Sequence, residues 1–228
     1  QGIGFPVFGE DKPGPRVPIV PGAVIFDLLV GPSRPGPEEG AAALRAALTG
    51  NDESMGSVGA GVGATAGKLR GGFGLATRRV GDYEVSAAMV ANPVGEVIEP
   101  QSGRLYGAPG RTPVNAAAYR ALPHPAESKL NTTIGAVLTD APVSIAQAQR
   151  LAMTAHDGIA RAVRPAHLPL DGDTIFALST AKRPAELSTQ VVTQLCAAAA
   201  DAVEEAIVNA VTAADPGLGL SAYRDLLD

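Results

Sequence analysis

The spacing of apolar positions changes repeatedly along this chain, and each change predicts a different element. Residues 1 to about 36 carry apolar patches at 17–20 and 23–26, punctuated by glycine and proline, which read as short strands and loops. Pro37 then opens a helix, since proline is tolerated at the first helical position; Ala41, Leu44, Ala47 and Leu48 share one face, and Gly50 ends it. A glycine run occupies 56–76, with strands predicted at about 72–78 and 83–91, the second stopped by Asn92-Pro93. Residues 101–130 are polar, proline-bearing and without periodicity, a long loop.

The character changes at Thr133, where 133–139 is strand-like. Ser144 and Gln147 form a capping box. The helix it opens shows Ala148, Leu151, Ala152, Ala155 and Ile159 on one side and stops by Arg164, before Pro165. Residues 174–180 predict another strand. Ser188 caps a long helix with Val191, Leu195, Ala198, Ala202, Ile207 and Ala210 at helical spacing, whose small residues let it lie close to a sheet. The sum is an α+β protein in layers, with helices concentrated in the C-terminal half.

Composition narrows the classes. The 228 residues are 46% hydrophobic and 18% charged, with a formal net charge of -5, enough chain for one core and a poor match to phosphate-backbone binding, so no nucleic-acid partner is expected. Aromatics are scarce (Phe 5, Tyr 4, Trp 0), so the core must be aliphatic. The one cysteine, Cys196, forms no intrachain disulfide, and no cysteine cluster offers a zinc site. The apolar stretch 191–214 is broken by Asp201, Glu204 and Glu205, so no membrane span is expected. The chain begins at Gln1 without a signal peptide or an initiator methionine, which leads us to expect part of a longer, cytoplasmic polypeptide.

Several motifs admit more than one reading. Gly61-Val62-Gly63-Ala64-Thr65-Ala66 fits the G-x-G-x-x-A dinucleotide form, with Asp82 farther along, and a cofactor-binding oxidoreductase using the run from Gly59 to Lys68 is one alternative. Against it, no buried strand is predicted before the run and no helix after it. Glycines there also serve tight turns or close backbone approach. His156, His167, Asp171 and Asp173 could gather round a metal, although such scattered sets are mostly structural. Asp171-Gly172-Asp173 places two carboxylates on one side of an extended segment just before a strand, or is an ordinary turn. Asn131-Thr132-Thr133 puts a hydroxyl where a long loop meets a buried strand. A threonine hydroxyl needs a base to become nucleophilic. Were the Asn131–Thr132 bond cut, Thr132 would carry an α-amine that titrates near neutral pH, a built-in general base.

Taken together, these residues resemble the DmpA-type family of self-processing amidohydrolases, which includes L-aminopeptidase/D-esterases, β-peptidyl aminopeptidases and nylon-oligomer hydrolases. The resemblance covers essentially the whole chain and rests on the segment from Val17 to Asp27, the glycine run to Lys68, Asn131-Thr132-Thr133-Ile134-Gly135, Ala155-His156-Asp157-Gly158 and Asp171-Gly172-Asp173-Thr174. It implies an αββα sandwich, with about the first third of the family domain absent from this chain. It also implies self-cleavage between Asn131 and Thr132, giving fragments 1–131 and 132–228, with Thr132 then attacking small amine-bearing amides or peptides. By position, Asp171 and Asp173 match the pair that orients the nucleophile's amine and hydroxyl. Asn92 matches an oxyanion- or substrate-holding asparagine, and Lys68 a lysine near the nucleophile. Thr132 with two aspartates is closer to the nylon-hydrolase branch than to the serine aminopeptidases. No cofactor is implied; the expected partners are the substrate, the protein's own cleaved fragment and further copies in a homo-oligomer. A non-catalytic binding relative of the family is the remaining alternative.

Overall fold

The computed structural model describes residues 4–9, 11–32, 34–50, 53–124 and 131–227. A two-residue hairpin (β1, Phe5–Pro6; β2, Arg16–Val17) and a surface helix (α1, Pro37–Thr49) come first. The patch at 23–26, expected as a strand, is irregular and pairs with no strand among the described residues. The glycine run turns through a short 3₁₀ segment and becomes a tight hairpin, β3 (Thr65–Ala66) and β4 (Leu69–Arg70). A dinucleotide loop needs a helix at that point, so the run does not fold as the oxidoreductase reading requires.

The core is one four-stranded sheet in the order β5-β6-β7-β8, formed by Gly72–Val80, Tyr83–Ala91, Ile134–Thr139 and Thr174–Ser179. The first three strands pair antiparallel, and β7 and β8 run parallel. The loop expected over 101–130 contains a short helix, α2 (Ala116–Ala121), capped by the Asn115 side chain; residues 125–130 lie outside the described residues. The helix α3 (Ile145–Ala162) crosses from β7 to β8, and its Ser144–Gln147 capping box is present. The long helix α4 (Thr189–Ala213), capped by Ser188, closes the layer.

Small residues set the spacing of these layers. Gly72 and Gly74 of β5 lie under the carbonyls of Ala210 and Ala206 in α4, where a methyl at either would collide with backbone. Gly158 of α3 meets the backbone of Ala200 and Glu204 in the same way. Leu195, Ala199, Ala202, Val203, Ala206 and Ile207 are buried on α4 against Val85, Ala87, Met89 and Val137 of the sheet. The opposite sheet face, including Phe73, Leu75, Ala88, Ile134, Ala136 and Phe176, is apolar and half-buried. Among the described residues, therefore, one sheet and one helical layer of an α+β sandwich are formed.

Candidate active site

The site is built where the parallel β7–β8 ladder runs on past the ends of both strands. Thr174 N–H donates to the Thr133 carbonyl (3.1 Å), Gly172 N–H to the Asn131 carbonyl (3.0 Å), and Asn131 N–H to the Leu170 carbonyl (3.1 Å). Residue alternation turns Thr132 the other way, and its N–H donates to the main-chain carbonyl of Asn92, one residue beyond β6 (3.0 Å). The Asn131–Thr132 peptide is thus clamped on both sides. The Thr132 hydroxyl donates to the Asn131 carbonyl oxygen at 2.5 Å, so that oxygen accepts both this O–H and the Gly172 N–H. Gly172 leaves room for it: a Cβ there would lie 3.0 Å from Thr132 Oγ1.

The two carboxylates hold backbone rather than the hydroxyl. Asp171 accepts from Val94 N–H and Leu168 N–H, both at 3.1 Å. Burial holds its carboxyl above the usual carboxylate range, outweighing those two N–H bonds. Asp173 accepts from Thr133 N–H at 2.8 Å with one oxygen and contacts His167 Nδ1 at 2.7 Å with the other. The family resemblance implies that both aspartates orient the nucleophile's amine and hydroxyl; here they bind the backbone of Val94, Leu168 and Thr133.

Asn92 is fully buried. Its side-chain oxygen accepts from Thr65 N–H (2.9 Å) and its Nδ2 donates to the Phe26 carbonyl (3.4 Å), so the contact with Thr132 is made by its main chain. Lys68, in the β3–β4 turn, is not brought to Thr132 by a hydrogen bond. Its ammonium donates to the Arg120 carbonyl at the C-terminal end of α2 (3.1 Å) and lies over the Tyr119 ring. Thr65 also lines a cavity of about 260 Å³ with Phe26, Asp27, His124 and Leu220.

Sequence reasoning missed the Gly172 N–H and the Asn92 carbonyl, and it named His167 only within a scattered set that could gather round a metal. The two missed groups belong to the main chain, which no residue pattern announces. His167 and His156 do gather beside Asp173, with ring centroids 5.2 Å apart. Burial first, and then His167, hold the His156 imidazole below its usual value against the opposite pull of Asp173 and Asp157. Among the described residues no group of three metal-ligating side chains is placed to hold an ion.

A helix-backed mixed sheet with a hydroxyl residue at the start of a central strand has the layout of N-terminal-nucleophile hydrolases. The chain belongs to Peptidase family S58, whose model matches residues 9–223. It is 44% identical over 234 residues to an uncharacterized aminopeptidase of Mycobacterium tuberculosis, covering 92% of this chain and 67% of that protein. It is 34% identical over 179 residues to a 6-aminohexanoate-oligomer endohydrolase of Kocuria sp., covering 71% of this chain and 50% of that protein. The fold is similar to that of the L-aminopeptidase D-Ala-esterase/amidase of Ochrobactrum anthropi, described as a variant of the Ntn hydrolase fold. That match has a TM-score of 0.58 and 27% identity, covering 82% of this chain and 54% of that one. The chain thus spans about half to two-thirds of the length of these relatives. Membership places it among hydrolases of amide and peptide bonds. Among the described residues no helix is long and apolar enough to cross a membrane.

Proposed function

We propose that the protein cuts its own Asn131–Thr132 bond and then uses Thr132 as the nucleophile on small amides or peptides that carry a free amine. The observation that carries this reading is the Asn131 carbonyl, which lies against the Thr132 hydroxyl and on the Gly172 N–H at once. Attack of Oγ1 on that carbonyl carbon closes a five-membered ring through Cβ, Cα and N. Negative charge then develops on the oxygen already held by the Gly172 N–H, the use of a preorganised donor that lowers such barriers. Collapse breaks the C–N bond, the proton given up by the hydroxyl passes to the departing nitrogen, and an ester links Asn131 to Thr132 Oγ1. Water cleaves the ester, leaving a carboxylate on Asn131 and a free hydroxyl and amine on Thr132.

The new amine stays beside the Asn92 carbonyl, its present acceptor, and becomes the base for its own hydroxyl. A substrate amide then meets the same oxygen-binding N–H, forming an acyl-enzyme that water resolves. Lys68 and the Asn92 amide take the roles of favouring the developing charge and holding the substrate; both are engaged elsewhere in the uncut chain. The cavity beside Thr65, with the Asp27 carboxylate in its wall, suits a small substrate bearing a cation.

The product would be two interlocked pieces. β6 lies in 1–131 and β7 in 132–228, and six residue pairs join them, while α4 of the second piece covers β5 and β6 of the first. The cut fragments therefore stay associated, and sedimentation of the cut protein tests whether these protomers form the homo-oligomer. The test of function is a panel of β-amino, D-amino and ω-amino acid amides with wild type and Thr132→Ala. Turnover by wild type and none by the variant is expected; turnover unchanged in Thr132→Ala removes Thr132 from its role.

A further inference from the structure

We propose that His167 is a positioning residue for this site: its imidazole fixes Asp173 in the rotamer that receives the Thr133 N–H, and through it sets the nucleophile's strand. The inference deepens the reading of Thr132 as nucleophile and rests on it.

Three observations on separate atoms converge. Asp173 is all but buried, with 5% of its side chain exposed. An ionised carboxylate there needs donors on both oxygens. Thr133 N–H supplies one at 2.8 Å and His167 Nδ1 the other at 2.7 Å. Because an ionised Asp173 only accepts, Nδ1 carries the proton, which holds for the neutral Nδ1–H tautomer as well as for the cation. The contact therefore does not depend on His167 being charged.

The backbone of His167 is the second observation. Its φ is +56°, in the left-handed region that glycine occupies freely and a side chain occupies only at a cost. That turn delivers the next residue's N–H to Asp171, so residues 167–173 wrap both carboxylates. Glycine would make the turn without strain; the imidazole is what it could not provide. The third observation is the ring's surroundings. From α3, His156 lies with its ring centroid 5.2 Å away and its plane tilted by 53°, with Asp157 beside it; from the loop itself come Asp171 and Asp173. The ring is thus located between a neighbouring imidazole and its carboxylate partner.

Substitutions separate the turn from the ring. His167→Gly keeps the left-handed backbone and deletes the donor. His167→Asn tolerates the same backbone and places an amide N–H where Nδ1 stands. In the full chain carrying Thr132→Ala, which keeps one covalent state, hydrogen exchange at the Thr133 amide is expected to quicken about tenfold or more in His167→Gly and to stay within about threefold in His167→Asn. With Thr132 intact, kcat on the best amide of the panel falls about tenfold or more in the glycine variant with KM within about twofold, and asparagine restores it. Equal Thr133 protection in all variants, an asparagine variant as impaired as the glycine one, or an unchanged kcat in His167→Gly would each overturn the proposal. The exchange measurement needs no turnover. If wild type neither cuts itself nor hydrolyses any amide, the reading of Thr132 fails while exchange still reports on the His167–Asp173 contact.

Discussion

Gly172→Ala adds one methyl next to the Thr132 hydroxyl, the proposed nucleophile, and changes little else. The added Cβ would stand 3.0 Å from Thr132 Oγ1, but 3.5 Å from Cγ2 and 3.8 Å from Cβ, which are ordinary contacts. Gly172 is outside the left-handed region, so alanine brings no backbone strain, and its N–H still reaches the Asn131 carbonyl. The whole conflict falls on Oγ1. Threonine is stiff at χ1, so the hydroxyl yields by rotating off its rotamer or by moving a few tenths of an ångström. A rotation of about 30° costs about 0.5–1.5 kcal/mol, which corresponds to about a 2- to 12-fold slower self-cleavage if the whole cost is met on the way to the attack. Global stability should fall by no more than about 1 kcal/mol, since a single methyl meets one movable atom. A gel time course of freshly made protein gives the rate, and a thermal melt followed by circular dichroism gives the stability. Cleavage at the wild-type rate would refute the reasoning, because it would mean that Oγ1 is not where the reaction needs it.

The remaining predictions concern groups around the same junction. Thr133 is fully buried and its hydroxyl has no partner among the described residues, so Thr133→Val should leave stability unchanged or raise it by about 1 kcal/mol; a loss of that size, measured by denaturant unfolding, contradicts the assignment. His156 titrates below the usual imidazole value when folded, so the native state binds fewer protons than the unfolded one in that interval. Stability should therefore fall as pH drops from the ordinary histidine value through the lowered one, and His156→Gln should flatten that slope in melts recorded against pH. Asp171 titrates above its ordinary range, so its sign is opposite: its contribution is greatest at low pH and is lost as pH rises through the raised value, and Asp171→Asn should remove that decline.

Much of the scaffold could be read from local signals. Ser144 with Gln147, and Ser188, announce their helices because a cap is a contact within a few residues. The strand Tyr83–Ala91 follows from its β-forming residues and the Asn92-Pro93 stop. The patch at 23–26 misled because a strand also needs an edge to pair with, and among the described residues it pairs with none. The site divides in the same way. The hydroxyl at Thr132 and the spacing of Asp171 and Asp173 are visible as residues. That Asp173 accepts from the Thr133 N–H, that the Asn92 carbonyl accepts from the Thr132 N–H, and that the Lys68 ammonium donates to the Arg120 carbonyl all depend on residues far apart in the sequence. One residue of slip between β7 and β8 would break the Asp173–Thr133 contact and the Gly172–Asn131 hydrogen bond.

In the proposed self-processing the Thr132 hydroxyl cuts the Asn131–Thr132 bond. N-terminal sequencing of the purified, incubated protein, run on a denaturing gel, tests it most directly. Two bands are expected, one of them beginning Thr132-Thr133-Ile134, and a single intact band for Thr132→Ala. A single uncut band from wild type after long incubation, or the same cut persisting in Thr132→Ala, would contradict it.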